Sequence, residues 1–326
     1  VENKTKKATP RRGEYTARVI EQRKFGVGHK ILCLELEGTA AKCFGRARAG
    51  QFVQIACRDL ADQRRPVPLL RRPFSIAGLH PGGPDKQDCL SLEIIYRIIG
   101  PGTKWLERCL SGDILNILGP LGNGFTLGQD PKKRAILLGG GIGLPPMFFL
   151  ADQLAQSGYG ERVAFAGARM KSHLEGTIDT RTISSQDLLT PQMHLEQFKR
   201  SNTGCIIATD DGSAGYCGNI TQVLEEFLEK NSQWQEGQIY ACGPDAMLKA
   251  VAELALKRDM PCQLCLEAYM ACGIGVCQSC VVPVQNSNNS AEEENSPETK
   301  QYKLVCTHGP VFDARSIVWD KLEAKD

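Results

Sequence analysis

The chain has 326 residues and a mass of 35.7 kDa, is 42% hydrophobic and 23% charged, and carries a formal charge of +2. At roughly 150 residues per domain the length suggests two domains. A balance so near neutrality gives no reason to expect a nucleic acid or a membrane surface as partner. No apolar run reaches the ~20 residues that span a bilayer, since the nearest, Ala135 to Ala151, is interrupted by Gly139, Gly140, Gly141, Gly143, Pro145 and Pro146. The N-terminal stretch VENKTKKATPRRGEY is polar and basic; it lacks the apolar centre of a secretory signal and reads as a solvated tail. Fourteen cysteines behind such a start point to free thiols or metal ligands in a reducing, cytoplasmic setting.

From Tyr15 to about Phe125 the pattern is strand-like. Lys30–Glu37, Gln51–Cys57, Leu90–Ile98 and Asp113–Leu118 are short runs between Gly and Pro punctuation, which predicts an antiparallel barrel or sandwich. A helix is expected at Gly102–Cys109. Three segments here carry what a bound flavin needs. Arg72-Pro73-Phe74-Ser75 supplies a cation for a pyrophosphate and a small hydroxyl for the ring. Ile95-Tyr96-Arg97 adds an aromatic ring and a second cation, and Gly102-Thr103 opens the helix, where N–H groups meet phosphate. Gly119 to Phe125 (GPLGNGF) reads as a structural turn closing the barrel.

From about Lys132 the rhythm changes. Strands at Ala135–Leu138, Arg162–Gly167, Cys205–Thr209 and Gln238–Ala241 alternate with helices, among them one ending near Gln156 and one at Asp245–Lys257. That alternation predicts a parallel α/β sheet. Gly140, Gly141 and Gly143, between a strand and a helix, suit the approach of a pyrophosphate or form a simple tight turn. Cys242-Gly243-Pro244 stands at another strand end, where ligands of such sheets collect. Asp210 to Gly215 (DDGSAG) lies at the same edge or is a plain Asp/Gly turn.

Beyond Pro261 the chain becomes Cys-rich. Cys272, Cys277 and Cys280, with Cys306 downstream, have the C-x4-C-x2-C…C spacing of plant-type [2Fe–2S] proteins. Thiolates also suit zinc, and free thiols are the remaining alternative. Cys262 and Cys265 read as packing residues. Residues 286–300 (NSNNSAEEENSPETK), polar and acidic, read as a mobile surface loop.

In order, the motifs RRPFS, YR with GPGT, LGPLGNGF, LLGGGIGLPP, TDDGSAGYCG, ACGPDAML and LEAYMACGIGVCQSC resemble the ferredoxin-reductase superfamily. More closely, they resemble the electron-transfer subunits of NAD-linked dihydroorotate dehydrogenase of the B type. The resemblance covers nearly the whole chain after the tail. It implies a basic tail (1–14), an antiparallel β-barrel domain for FAD (15–128), a parallel-sheet α/β domain for NAD(H) (129–261) and a small C-terminal [2Fe–2S] domain (262–326). It also implies that Arg72, Pro73, Phe74, Ser75, Ile95, Tyr96, Arg97, Gly102 and Thr103 hold the flavin, and that Cys272, Cys277, Cys280 and Cys306 hold the iron. No residue is expected to act as acid or base. Electrons would pass from an FMN-containing dihydroorotate dehydrogenase catalytic subunit to the cluster, then FAD, then NAD+, within a heterotetramer of two subunits of each kind, in pyrimidine (UMP) biosynthesis. Two features depart from the pattern. The interval between Cys280 and Cys306 is long, and Arg169 and Lys171 leave NADPH open. The rival readings are an NAD(P)H–ferredoxin reductase-type or hydrogenase-associated flavoprotein subunit, and a zinc-stabilised interaction protein.

Overall fold

The computed structural model describes residues 12–58, 68–82, 88–128, 133–174, 176–178, 189–191, 195–285 and 300–322. The tail up to residue 11 and most of the acidic stretch, 286–299, lie outside them. The N-terminal strands are β1 (Gly13–Lys24), β2 (His29–Glu37), β3 (Phe52–Ile55), β4 (Arg72–Ser75), β5 (Gly78–Pro81), β6 (Cys89–Arg97) and β7 (Ile114–Leu121). They form one seven-stranded sheet in the order β4-β3-β7-β1-β2-β6-β5, antiparallel throughout. The sheet curls because its two edge strands are consecutive in the chain. Ile76 N–H donates to the Gln51 carbonyl and Ala77 N–H to that of Glu93, while Phe74 of β4 meets Tyr96 of β6 edge to face at 5.9 Å. Helix α1 (Gly38–Phe44) buries Ala40, Ala41, Cys43 and Phe44 on the barrel. The sequence reading contains no such helix, because seven residues are too few to show a period. The expected second helix is present as α2 (Pro101–Leu106).

The second half contains β8 (Ala135–Gly140), α3 (Leu144–Gln156), β9 (Arg162–Ala168), α4 (Glu196–Lys199), β10 (Gly204–Thr209), β11 (Tyr216–Cys217), α5 (Ile220–Lys230), β12 (Gln238–Cys242), α6 (Asp245–Lys257) and β13 (Cys262–Cys265). The sheet order is β11-β10-β9-β8-β12-β13-β16, parallel but for β16 (Val311–Asp313), which runs antiparallel to β13. Along β8 the side chains divide by period two. Ala135 and Leu137 join the barrel and α3 in one core, and Ile136 and Leu138 join α5 and α6 in another. Helix α5 is a further element beyond the sequence expectations, although its signal is plain. Asn219 accepts from the N–H groups of Thr221 and Gln222, and Ile220, Val223, Leu224, Phe227 and Leu228 are buried at i, i+3, i+4, i+7 and i+8.

The expected boundary at 261/262 falls inside this sheet. Cys262 and Cys265 are buried on β13, which pairs with β12, so they do pack, and they do so as part of the parallel sheet. The cysteine-rich segment is an insertion between β13 and β16, and its own hairpin pairs β14 (Val281–Gln285) with β15 (Lys300–Leu304).

Polar contacts join the parts. Asn123, in the GPLGNGF turn, donates through Nδ2 to the carbonyls of His308 (2.8 Å) and Val311 (3.1 Å). Its Oδ1 accepts from Val311 N–H (3.0 Å), and its own N–H donates to the Gly309 carbonyl (2.6 Å). That turn therefore clamps the end of the inserted segment as well as closing the barrel. Elsewhere Arg200 lies 3.4 Å from Asp152 on α3 and 3.9 Å from Glu93 on β6, with His80 against its other nitrogen. Burial, opposed by Arg200 and reinforced by Glu93, pushes the Asp152 carboxyl up to about 6.

Replacing Asn123 with Ala removes the three side-chain bonds at about 1 kcal/mol each, so urea unfolding should show a loss of roughly 2–3 kcal/mol. The raised Asp152 carboxyl binds its proton more tightly folded than unfolded. Its stabilising effect is therefore full below the unfolded carboxylate range and is lost as the pH climbs to about 6. Asp152→Asn should flatten the stability–pH curve between roughly pH 4 and 6, by at most about 1.4 kcal/mol per pH unit.

Candidate functional site

The four cysteines of the C-x4-C-x2-C…C pattern come together on two supports. Cys272 and Cys277 sit on a loop whose N–H groups turn inward, those of Ile274 and Cys277 each donating to Cys272 Sγ at 3.4 Å. Cys280 precedes β14. Cys306 lies in the tight turn after β15, where Thr307 and His308 N–H groups both donate to the Leu304 carbonyl. That turn is pinned to Cys280 by Val305 N–H on the Cys280 carbonyl (2.8 Å) and Cys306 N–H on Cys280 Sγ (3.4 Å). The sulfurs thus stand as two pairs, Cys272 with Cys277 and Cys280 with Cys306.

Electrostatics favour a cation between them. The Ser279 hydroxyl, 3.2 Å from Cys277 Sγ, and then the Ser279 backbone hold the Cys277 thiol down at about 6. Burial, then the hydrogen bond and charge of Cys280, push Cys306 up to about 12. Packed thiolates repel one another, and metal binding relieves that cost by displacing protons. The pairing also separates two donor chemistries. Four thiolates around one zinc ion, about 2.3 Å from the metal, would all lie about 3.8 Å apart. Among the described residues the one trio of ligand atoms within 4.8 Å of each other is Glu35, Glu37 and Cys89, so the four sulfurs do not form that tetrahedron. Two pairs suit a two-iron centre.

The two nucleotide segments meet. In the sheet order β9 lies on one side of β8 and β12 on the other, so the chain reverses direction there, at the switch point where ligands of open α/β sheets bind. Cys242 pairs with Gly139 across it. The approach is so close that a Cβ on Gly143 would lie 2.1 Å from the Cys242 carbonyl oxygen. Gly140 and Gly243 also face each other, a Cβ on Gly243 lying 3.2 Å from Gly140 N. The Asp210 to Gly215 segment follows β10 at the same edge. Its side chains fold inward: Asp211 accepts from Ser213 N–H and hydroxyl, and the Ser213 hydroxyl accepts from Lys171 N–H.

On the barrel, Arg72 donates to the Leu70 and Arg71 carbonyls and lies against Gly102, where a Cβ would meet its Cγ at 3.0 Å. The arginine and the start of α2 are thereby brought together. Strand β4 pairs on one side with β3, and its other edge carries no strand among the described residues, which leaves backbone groups for a ligand. Phe74, Ile95 and Tyr96 are buried; Ser75 is partly exposed and Arg97 exposed. The Tyr96 ring backs Phe74 and its hydroxyl donates to Gln22. The Thr103 hydroxyl is engaged within its own turn, accepting from Ile99 and Gly100 N–H groups.

A family profile described as the iron-sulfur cluster binding domain of dihydroorotate dehydrogenase B matches residues 267–318. The chain is 37% identical over 275 residues to a Geobacillus thermodenitrificans protein named "Dihydroorotate dehydrogenase B (NAD(+)), electron transfer subunit", covering 82% of this chain and 86% of the relative. A protein of the same name from Caldanaerobacter subterraneus subsp. tengcongensis is 30% identical over 309 residues, 94% of this chain and 100% of the relative. The chain belongs to the family of dihydroorotate dehydrogenase B electron transfer subunits. The fold is shared with a solved NADH-dependent reduced ferredoxin-NADP oxidoreductase at 21% identity and a TM-score of 0.68, over 94% of this chain and 91% of that one. It is shared also with an Amycolatopsis cytochrome P450 reductase at 22% identity and a TM-score of 0.54, over 78% of this chain and 68% of that one. The family profile falls on the segment holding all four cysteines, and the paired thiols fit an iron–sulfur centre.

The Gly143 contact gives a direct test. Gly143→Ala drives a methyl into the β12 backbone and should lower unfolding stability by about 1–3 kcal/mol, whereas Gly100→Ala, with nothing within 4 Å, should change it by less than half of that; denaturant titration of both variants checks the difference.

Proposed function

We propose that this chain carries electrons between a dihydroorotate-oxidising partner subunit and NAD+, using FAD on the barrel and a [2Fe–2S] cluster on Cys272, Cys277, Cys280 and Cys306. The observation that carries the reading is the arrangement of those thiols as two pairs beside the barrel strand β3, next to the proposed flavin strand β4. When bound, a flavin exchanges a hydride with a nicotinamide and single electrons with an iron–sulfur centre.

The chain's own groups hold and orient. Arg72 brings charge to the flavin pyrophosphate at the start of α2, beside Gly102 and Thr103, with Arg97 at the end of β6. Pro73, Phe74 and Ser75 border the ring, Tyr96 supports Phe74 from behind, and Ile95 stands next to Tyr96 on β6. Gly140, Gly141 and Gly143, with Cys242, Gly243 and Pro244, form the NAD(H) cleft at the switch point. The backbone N–H groups on Cys272 and Cys280 stabilise the charge of the thiolates. No side chain has to move a proton. The domains are the barrel (15–128), the nucleotide domain (129–261) and the cluster segment (262–326) that lends β13 and β16 to the nucleotide sheet.

The partner reading is supported by five exposed apolar residues within the cluster segment, Tyr269, Ile274, Val276, Val281 and Tyr302. Large apolar side chains left in water around one segment mark a candidate docking face. The partner is the FMN-containing catalytic subunit, in a heterotetramer of two subunits of each kind that serves pyrimidine synthesis. Among the described residues no helix is long and apolar enough to cross a membrane. None of the fourteen cysteines is joined in a disulfide, which suits a reducing cytoplasm.

Anaerobically purified protein should contain flavin together with iron and sulfide in equal amounts, and should co-purify with an FMN protein that oxidises dihydroorotate. Colourless protein holding zinc would overturn the reading. Cys277→Ser should bleach the cluster spectrum and lower dihydroorotate-driven NAD+ reduction by roughly 100-fold or more, with the flavin retained.

A further inference from the structure

Gln54 is a buried polar residue on the barrel. It lies at the centre of β3, directly across from Pro73 of β4. The residues around it divide by alternation: Val53 and Ile55, on either side, belong to the barrel core, while Phe52, two positions away, belongs to the second core, which also holds the cluster segment's Cys280, Val282, Val305 and Cys306. Gln54 shares the outward face with Phe52. Its side chain is 0% exposed, and neither Nε2 nor Oε1 has a hydrogen-bond partner among the described residues. Burying a carboxamide without partners costs about 1–3 kcal/mol per group, so an amide kept in such a place points to a ligand beside it.

Its direction identifies that ligand. The carboxamide lies against Gly273, the residue after Cys272. A Cβ built on Gly273 would sit 2.6 Å from Gln54 Nε2 and 3.1 Å from its carbonyl carbon. Gly273 also has φ +70, a conformation that favours glycine, so the loop is shaped to let the amide in. On the same side Cys272 Sγ already accepts two backbone N–H groups. Thiolate and sulfide sulfurs accept and never donate, so the NH2 end of the carboxamide is the end they match.

We propose that Gln54 is a positioning residue for the iron–sulfur centre, donating from its buried amide to the sulfur ligands on the Cys272 side and raising that centre's reduction potential. This rests on the cluster assignment proposed above. Donors to cluster sulfurs stabilise the reduced, more negative state. The residue also ties the potential of the cluster to the strand that neighbours the flavin, because β3 is hydrogen-bonded to β4.

The test uses the holo protein and two variants. Gln54→Met matches the side chain in length and has no donor; Gln54→Asn keeps an amide but withdraws it by one methylene. Iron and sulfide content is measured first, then the cluster potential by EPR-monitored redox titration and the flavin potential by absorbance. Fully loaded Gln54→Met should be harder to reduce by about tenfold in equilibrium constant, about 59 mV lower for a one-electron couple, with the flavin potential unchanged. Gln54→Asn should shift in the same direction. An unchanged cluster potential in either loaded variant overturns the proposal, as does a shift confined to the flavin. Wild-type protein lacking iron and sulfide would overturn the cluster assignment instead, so the two failures are distinguishable.

Discussion

The carboxamide of Asn123 is the contact on which the placement of the sites depends. One side chain from the end of the barrel sheet takes both the donor and the acceptor groups of the chain between His308 and Val311. Val311 in turn opens β16, the last strand of the nucleotide sheet, and Cys306 lies just upstream. A single turn thus fixes barrel, cluster segment and nucleotide sheet against one another. Electron transfer is sensitive to the distance between centres, so a rigid junction at this point matters more than any individual surface contact. The two cores say the same thing in apolar terms. The barrel core runs on into one face of the nucleotide sheet, while Phe52 and Leu121 from the barrel strands join the second core, which holds the sheet's other face and the cluster segment.

The nucleotide cleft depends on a second constraint, the crowding of two backbones. Where the turn after β8 passes the end of β12, Gly143 lies so near the Cys242 carbonyl that no side chain fits. The glycine at 143 is therefore required by the protein's own packing, whatever ligand approaches the turn.

Much of the fold was legible in the residues. Alternating Leu32, Leu34 and Leu36 mark β2, and the strand–glycine–helix rhythm marks the parallel sheet. The C-x4-C-x2-C spacing located the thiols, because ligand spacing on one loop is a local property. What stayed hidden was either too short or non-local. Helix α1 spans seven residues, and the GPLGNGF turn shows its role only when residues 308–311 arrive beside it. Gln54 is a polar residue in an otherwise apolar run, which marks it as unusual, but its neighbour Gly273 is more than two hundred positions away. Helix α5 is a different case, since its cap and apolar period were both present in the sequence.

The hairpin of β14 and β15 has one more implication. Residues 286–299 join two strands whose pairing is already complete from Val281 to Leu304, at the end away from Cys280 and Cys306. Extending a connection there adds only loop-closure entropy, about 0.6 kcal/mol for each doubling of its length. A change of length between Gln285 and Lys300 is therefore absorbed beyond the far end of the ladder, and the spacing of Cys280 and Cys306, set at its near end, is insulated from it.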